Sequence, residues 1–453
     1  MAAAAAERQV VGWAAEAAGR AERRHAAAAA ERGVMAVAKA ADVLVVGAGV
    51  AGLACAQDLA AAGLDVLVLE ASDAVGGRMR TDVRDGFRFD RGFQVVNTSY
   101  PQLRRRLRLP ELSLRPFTPG ILLHTPRGRL RFTDPTRAPK LAGDLLPGRL
   151  ASLRDLSALV MLCGRDLVLP PSTLRHAAER TTRTALADAA ISEDLVETLF
   201  RPFLSGVFLE SELETSSRFF HLVWRSMLRG SVCLPARGVA AVPEQLATAL
   251  SVDAVRLGTP VERLTDDGVL TSYGDELPAA AVVVATGPSA AAALLPGLEV
   301  PATRSVTTYY HAAPASPLRE PTLLVDTARR VLNSVVLSEV SPTYAPRGRA
   351  LVSTSVLGAD GGPGQEAEVR GTLAELYGAD TSGWEPVAVH RVAEALPAMT
   401  PPWPLIRTTR HSPGRYVCGD HRATGSVQGA MASGACAARE LLADREARGG
   451  AAR

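Results

Sequence analysis

The chain has 453 residues, of which 47% are hydrophobic and 21% charged. This length allows two or three domains, and the composition excludes intrinsic disorder, collagen-like repeats and a small disulfide scaffold. With 50 basic and 47 acidic residues, the net charge is +3, which is not the strongly basic balance of a nucleic-acid-binding protein. Lys39 and Lys140 are the only lysines, so nearly all the basic residues are arginines.

Residues 1–40 are Ala-rich, with Glu and Arg interspersed. They contain no apolar run as long as that of a secretory signal, and we expect a disordered or dispensable extension. No run in the chain reaches the roughly 18 apolar residues of a membrane-spanning helix. Five cysteines without a CxxC pair favour a reducing compartment and give no metal-ligand pattern. We therefore expect a cytoplasmic protein, and we leave peripheral contact with a membrane open.

The first clear structural pattern lies in residues 42–69. Residues 42–46, which are apolar after Asp42, predict a buried parallel strand, residues 53–62 a helix, and residues 66–69 a second strand. This order is that of a βαβ unit. The sequence therefore predicts an α/β fold with a doubly wound parallel sheet.

A GxGxxG turn joins the first strand to the helix. In such a turn Gly47 makes the tight bend, Gly49 lets the backbone approach a pyrophosphate, and Gly52 lets the helix pack on the strand. Glu70 ends the second strand, where a carboxylate accepts hydrogen bonds from ribose hydroxyls and would repel the 2′-phosphate of NADP. The unit predicts a dinucleotide site with candidate contacts at Gly47, Gly49, Val50, Ala51, Gly52 and Glu70.

A second glycine pair follows the ribose-binding acid. Gly76 and Gly77 precede Arg78, and a flexible turn with a guanidinium suits a long cofactor whose pyrophosphate crosses the sheet. Together with the segment Phe-Asp-Arg-Gly-Phe-Gln at 89–94, these motifs resemble the superfamily of FAD-dependent amine oxidases, phytoene desaturases and protoporphyrinogen oxidases. The resemblance implies that the cofactor is FAD.

Two later segments are similar to the same superfamily, at 234–287 and at 416–434. The resemblance implies that Val261 contacts adenine through its backbone and that Asp420 binds the ribityl or pyrophosphate region. It also implies that a helix beginning near Val427 points its positive end at the flavin. The further cofactor contacts that it implies are Gly76, Gly77, Arg78, Gly92, Phe93, Gln94, Val261, Gly419, Asp420, Ser426, Val427, Gln428 and Ala430.

The resemblance implies a discontinuous, Rossmann-like FAD-binding domain and an α+β substrate domain. The FAD-binding domain is expected at 41–100, 228–298 and 398–445, and the substrate domain at 101–227 and 299–397. Within the latter, β-branched runs at 331–340 and 351–356 predict strands of a sheet over the flavin. The arginines of residues 104–108 alternate with leucines, which predicts a solvated helix face.

Two departures from the amine oxidases of this superfamily bear on the class of substrate. Amine oxidases of this superfamily usually carry a lysine near the flavin on a strand that resembles residues 304–310, yet this chain has no lysine after Lys140. Near Ser426, where a tyrosine of the amine-binding cage would fall, Ala423 and Thr424 are small. A small lipophilic substrate is therefore favoured over a simple amine.

We interpret the chain as an FAD-dependent oxidoreductase that takes a hydride from a hydrophobic C–C or C–N substrate, with oxygen or a quinone as electron acceptor. His421, next to Asp420, is the candidate catalytic base. A flavin-containing amine oxidase and a flavin-binding protein without turnover remain alternatives. No Walker A loop, Ser-His-Asp pattern or metal motif is present in the sequence.

Overall fold

The computed structural model describes residues 41–145, 149–359, 361–362 and 364–451. The expectation for residues 1–40 lies outside these ranges. The strands are β1 (Ala41–Val46), β2 (Val66–Leu69), β3 (Thr81–Arg84), β4 (Phe87–Asp90), β5 (Val96–Asn97), β6 (Leu114–Pro116), β7 (Gly120–Thr125), β8 (Gly128–Thr133), β9 (Val232–Pro235), β10 (Val255–Arg256), β11 (Val261–Thr265), β12 (Gly268–Thr271), β13 (Glu276–Val284), β14 (Thr303–Ala313), β15 (Leu323–Asp326), β16 (Asn333–Val336), β17 (Ala350–Leu357), β18 (Glu385–Pro397), β19 (Arg410–Ser412) and β20 (Arg415–Val417).

The helices lie between or after these strands, and six of them follow one another between β8 and β9. They are α1 (Val50–Ala61), α2 (Pro101–Arg106), α3 (Leu153–Val168), α4 (Pro171–His176), α5 (Thr182–Asp188), α6 (Glu193–Leu195), α7 (Arg201–Phe208), α8 (Ser217–Arg229), α9 (Ala241–Ala247), α10 (Pro288–Leu294), α11 (Leu337–Val340), α12 (Gln365–Tyr377) and α13 (Val427–Ala451). A π-helical turn, Val196–Phe200, joins α6 to α7. Among the described residues, none of the helices has both the length and the apolar content needed to cross a bilayer.

An eight-stranded sheet carries the βαβ unit. Its parallel part has the order β10–β2–β1–β13–β20, and β19 pairs with β20. Strand β12 pairs antiparallel with the first residues of β13, and β11 pairs antiparallel with β12. The predicted strands at 42–46 and 66–69 are confirmed as β1 and β2, with Val43 beside Val66. The α/β prediction is confirmed.

From Val43 to Val46, strand β1 is apolar because both of its faces are covered. Val43 and Val45 belong to the core cluster that includes residues of α1 and α13, while Leu44 and Val46 belong to the cluster that includes residues of α10. A central parallel strand buried on both faces has no polar face to alternate. This packing fixes the carboxyl ends of β1 and β2 beside the start of α1.

A second sheet has seven strands in the order β18–β14–β17–β16–β15–β7–β8. The predicted strand at 351–356 is confirmed within β17. The prediction for 331–340 is wrong in its second half, where β16 ends and the one-turn helix α11 begins. Leu337 and Val340 are both buried in the core around Tyr344, because a spacing of three residues puts them on one face of a helical turn.

The basic cluster at 104–108 is also only partly solvated. Arg106 has a side chain that is 3% exposed, and its Nη2 donates to Asp58 Oδ2 on α1 at 2.6 Å. Its Nη1 donates to Ala54 O at 3.0 Å. The expectation of a solvated face is wrong for this residue, because a carboxylate and a carbonyl on the neighbouring helix satisfy the buried guanidinium.

Candidate cofactor site

The three glycines of the GxGxxG turn have different surroundings. Gly47 has φ +107°, and its N–H donates to Leu69 O at 2.7 Å. A Cβ on Gly52 would overlap Gly47 O, so this glycine is required by the packing of α1 against the turn. A Cβ on Gly49 would meet no protein atom within 4 Å. Only Gly49 therefore faces open space, at the N-terminal end of α1 where N–H groups lack helical partners.

The Glu70 carboxylate is buried against the same turn. Ala48 N donates to Oε2 at 2.7 Å, and Ser72 N donates to Oε1 at 2.9 Å. Ser72 Oγ lies 2.8 Å from Oε1 and 2.9 Å from Ala74 O, so its single proton serves one of them at a time. The carboxylate keeps one or two free acceptor positions for a ligand, since it has about four in all.

Gly76 and Gly77 lie directly against the first glycine turn. Gly76 forms an isolated parallel bridge with Gly49, and its N–H donates to Ala48 O at 2.9 Å. A Cβ on Gly77 would lie 3.5 Å from Gly49 Cα. The structure therefore brings the two glycine motifs, predicted separately, to the same end of β1.

Arg78 connects this turn to the end of the chain. Its Nη2 lies 2.6 Å from Asp420 Oδ1, and its Nη1 donates to Ala395 O in β18 at 2.8 Å. The Asp420 side chain is 6% exposed and that of Arg78 is 37% exposed. The nearby Asp420 charge raises the pKa of Arg78, which keeps the guanidinium charged. A fixed cation with an exposed edge is suited to an anionic ligand.

The segment after β4 contacts the backbone of Arg78. Gln94 Nε2 donates to Arg78 O at 2.7 Å and to Arg91 O at 3.2 Å. The Phe93 ring lies edge-on to Phe117, with centroids 6.2 Å apart. Gly92 lies next to Val392 of β18. Of the three predicted cofactor contacts Gly92, Phe93 and Gln94, it is Gln94 that hydrogen-bonds to the backbone of Arg78.

Val261 lies at the start of β11, opposite Thr271, and is half-buried. The residues just before it run beside the predicted ribose site, because Thr259 N donates to Glu70 O at 2.8 Å and Gly258 N donates to Ser72 O at 2.9 Å. The structure thus places the backbone before Val261 next to Glu70.

The segment 419–421 is tightly packed. Gly419 N donates to Ser433 Oγ at 3.2 Å, and a Cβ on Gly419 would meet the His421 ring. His421 is 1% exposed, and neither ring nitrogen has a hydrogen-bond partner among the described residues. Burial lowers the pKa of His421 to about 4. The imidazole is therefore neutral near pH 7 and is able to donate one hydrogen bond and accept another.

Helix α13 begins at Val427, as predicted. Ser426 Oγ accepts a hydrogen bond from Gly429 N at 3.0 Å, which is the geometry of a helix cap. Gln428 Oε1 accepts a hydrogen bond from Gln102 N at 2.9 Å, so this amide also ties α13 to α2. Ala430 is buried in the core that α13 shares with α1. The first turn of α13 is thereby fixed beside the GxGxxG helix.

Sequence reasoning missed Asp90 as a supporting residue. Its buried carboxylate accepts hydrogen bonds from Thr81 Oγ1 at 2.6 Å, Val239 N at 3.0 Å and Tyr344 OH at 2.8 Å, and Tyr310 OH donates to its carbonyl at 2.5 Å. Burial raises the pKa of Asp90. It lies in the motif at 89–94, and an acid that ends a strand directly after the buried Phe89 is the signal that could have indicated it.

Comparison with known proteins relates the chain to a family of flavoproteins. A family model described as flavin containing amine oxidoreductase matches residues 50–442. A zeta-carotene-forming phytoene desaturase of Myxococcus xanthus is 28% identical over 253 residues, covering 50% of this chain and 48% of the desaturase. Protoporphyrinogen oxidase 2 of Arabidopsis thaliana is 43% identical over 61 residues, which are 14% of this chain and 12% of that protein.

The similarity to solved structures extends over most of the chain. Cyclohexylamine oxidase from Brevibacterium oxydans IH-35A has a TM-score of 0.66 at 20% identity, covering 90% of this chain and all of the oxidase. This likeness shows a common fold, a Rossmann-like FAD domain with a substrate domain. The curated relatives are matched over less than half of their own length. The chain belongs to the flavin-containing amine oxidoreductase family.

Proposed function

We propose that the two glycine turns, Glu70, Arg78 and the start of α13 hold FAD. Glu70 keeps acceptor positions for ribose hydroxyls, and the backbone before Val261 lies beside it. Gly49 borders open space at the N-terminus of α1, a position suited to the pyrophosphate. The glycine turns leave room for the pyrophosphate, the buried carboxylate of Glu70 accepts hydrogen bonds from the ribose, and the guanidinium of Arg78 offers a positive charge. These are the groups that FAD binding needs.

We also propose that the domain boundaries follow the two large sheets. Strands of the eight-stranded sheet come from the segments 41–100, 228–298 and 398–445, which would form the FAD domain. Strands of the seven-stranded sheet come from 101–227 and 299–397, which would form the substrate domain. The contact of Arg78 with Ala395 O of β18 supports a site between the two sheets.

The proposed reaction removes a hydride and a proton from a hydrophobic substrate of the phytoene-desaturase or protoporphyrinogen-oxidase type. When bound, FAD would supply the hydride acceptor and would be reoxidised by oxygen or a quinone, which takes up two electrons and two protons to give hydrogen peroxide or the quinol. The protein binds and orients the substrate. Neutral His421, with both ring nitrogens unpartnered among the described residues, is the group proposed to accept the proton.

The preference for a lipophilic substrate depends on β14. Arg304 in this strand pairs with Leu396 of β18, one residue beyond the Ala395 carbonyl that Arg78 contacts. This end of β14 therefore lies beside the proposed site, and the strand contains no lysine. The lysine that the family resemblance leads one to expect in amine oxidases is missing from this position.

A flavin-containing amine oxidase is the second candidate, supported by the family model and by the likeness to cyclohexylamine oxidase. A flavin-binding protein without turnover is the third. A screen for anaerobic flavin reduction with amines, carotenoid precursors and porphyrinogens separates them. Bleaching by a polyene or a porphyrinogen supports the proposal. Bleaching and peroxide release with amines alone would replace it with the second candidate, and no bleaching by any of them would favour the third.

A further inference from the structure

Helix α3 has an unusual number of exposed apolar side chains. Among the described residues, 13 large hydrophobic side chains are exposed, and five of them lie on this one helix. Their exposed fractions reach 81% at Val168 and 73% at Met161. The five are Leu153, Val160, Met161, Leu167 and Val168, and we call them the α3 stripe.

The α3 stripe occupies one side of the helix. At 3.6 residues per turn its five members fall within an arc of about 120°. The opposite side carries Ala158, Leu159 and Leu162, which are buried in the core that includes residues of α8. Helix α3 therefore has two apolar faces, one packed on the protein and one without a partner among the described residues.

The exposed charges on helix α3 have one sign. Helix α3 contains four charged residues, and its two acids, Asp155 and Asp166, are both buried. Arg154 and Arg165 are exposed along one edge of the stripe. Asp166 is engaged inside, where its Oδ2 lies 2.8 Å from His221 Nδ1. The solvent-exposed side of α3 therefore carries the apolar side chains of the stripe, and its only charged residues are arginines.

More positive charge lies at the C-terminal end of the helix. Arg225 Nη1 donates to Leu167 O at 2.7 Å, and Arg229 Nη1 donates to the same carbonyl at 3.3 Å. Both arginines come from α8 and extend the basic border of the stripe. Basic residues at this end of a helix also interact favourably with its dipole.

We propose that the α3 stripe docks on the surface of a lipid bilayer that contains anionic headgroups. An amphipathic helix with an apolar face and arginines beside it lies in the interface, with the apolar side chains below the headgroups and the guanidinium groups among the phosphates. This proposal does not depend on the identity of the substrate. It is consistent with a lipophilic substrate that enters from the membrane.

A second copy of the chain fits this surface less well. In a two-fold contact through the stripe with antiparallel α3 helices, Arg154 and Arg165 of one copy would face the arginines of the other. Helix α3 has no exposed acid to compensate them. Like charges in an interface oppose association, whereas anionic headgroups match them.

The experiment is flotation of the FAD-loaded full chain with vesicles of phosphatidylcholine alone or mixed with phosphatidylglycerol. The test variant is Val160→Glu/Met161→Glu, and the matched control is Val83→Glu/Val252→Glu, since these valines are exposed elsewhere. We expect the wild type and the control to float with the anionic vesicles. The test variant should bind these vesicles at least roughly tenfold more weakly than the wild type. Unchanged flavin content and circular dichroism show that each variant is folded.

A second variant tests the charge. Arg154→Gln/Arg165→Gln should weaken binding to the anionic vesicles by roughly fivefold per arginine and should reduce its dependence on salt. The proposal is overturned if the wild type does not float with the anionic vesicles. It is overturned as well if both variants float with these vesicles to the same extent as the wild type. It is also overturned if light scattering shows a dimer that Val160→Glu/Met161→Glu converts to a monomer, because a second copy then covers the stripe.

Discussion

Arg78 and Asp420 form an ion pair of 2.6 Å although they are 342 residues apart in the chain. The first follows the second glycine turn, and the other follows β20. The pair joins the beginning and the end of the proposed cofactor domain, and Arg78 also reaches the carbonyl of Ala395 in β18. It therefore couples three segments that are distant in sequence at the proposed FAD site.

The first prediction concerns this pair. Arg78→Gln and Asp420→Asn should each lower the affinity of the apoprotein for FAD about tenfold or more, because each leaves the other charge without its partner. The double variant should be less impaired than the sum of the two, with a coupling of about 1–3 kcal/mol. Titration with FAD by flavin fluorescence measures all four affinities.

A matched control for this cycle is the exposed pair Arg183 and Glu193, which lie 2.6 Å apart at a distance from the glycine turns in sequence and in fold. Arg183→Gln/Glu193→Gln should leave the FAD affinity unchanged. If the effects of the variants at Arg78 and Asp420 are strictly additive, the ion pair does not act as a unit in cofactor binding.

The sequence predicted the local part of this site better than its long-range part. The strands β1 and β2 and the glycine turn were predictable because apolar runs and glycine spacing are local patterns. The roles of Asp90 and of the Arg78–Asp420 pair were not, because each depends on which distant segments the fold brings together. Burial of Arg106 was missed for the same reason, since Asp58 lies on another helix.

The second prediction separates cofactor binding from folding within one motif. Gly49→Val should abolish the yellow colour of the purified protein while the apoprotein keeps its melting temperature, because a side chain there meets only open space. Gly52→Val should destabilise the apoprotein itself by several kcal/mol, because the side chain would overlap the Gly47 carbonyl. Absorbance at the flavin band and thermal unfolding of the apoproteins measure the two effects. Equal melting temperatures for both variants, or flavin retained by Gly49→Val, would contradict this assignment.

The third prediction concerns Glu70. Glu70→Ala should abolish FAD binding and lower the free energy of unfolding of the apoprotein by about 1–3 kcal/mol, because Ala48 N and Ser72 N lose their buried acceptor. Ser72→Ala removes only a hydroxyl whose proton has a second acceptor in Ala74 O, and it should retain flavin. Flavin stoichiometry and urea unfolding test both. A Glu70→Ala protein with full flavin content would remove Glu70 from the site.

The last prediction uses the buried His421. Its pKa is about 4 in the folded protein, against roughly 6.5 in an unfolded chain, so between these values only the unfolded state takes up the proton. Protonation of this histidine in the unfolded state therefore lowers the free energy of unfolding as the pH falls from about 6.5 to about 4. Over the whole window the loss is about 3 kcal/mol. His421→Gln does not titrate and should show a shallower loss between pH 6.5 and pH 4, whereas replacing the exposed His176 by Gln should leave the profile of the wild type. Urea unfolding of the apoproteins across this range measures the slopes. An identical slope for His421→Gln and the wild type would mean that the imidazole is solvated, and its proposed role as a neutral proton acceptor in a dry site would then be untenable.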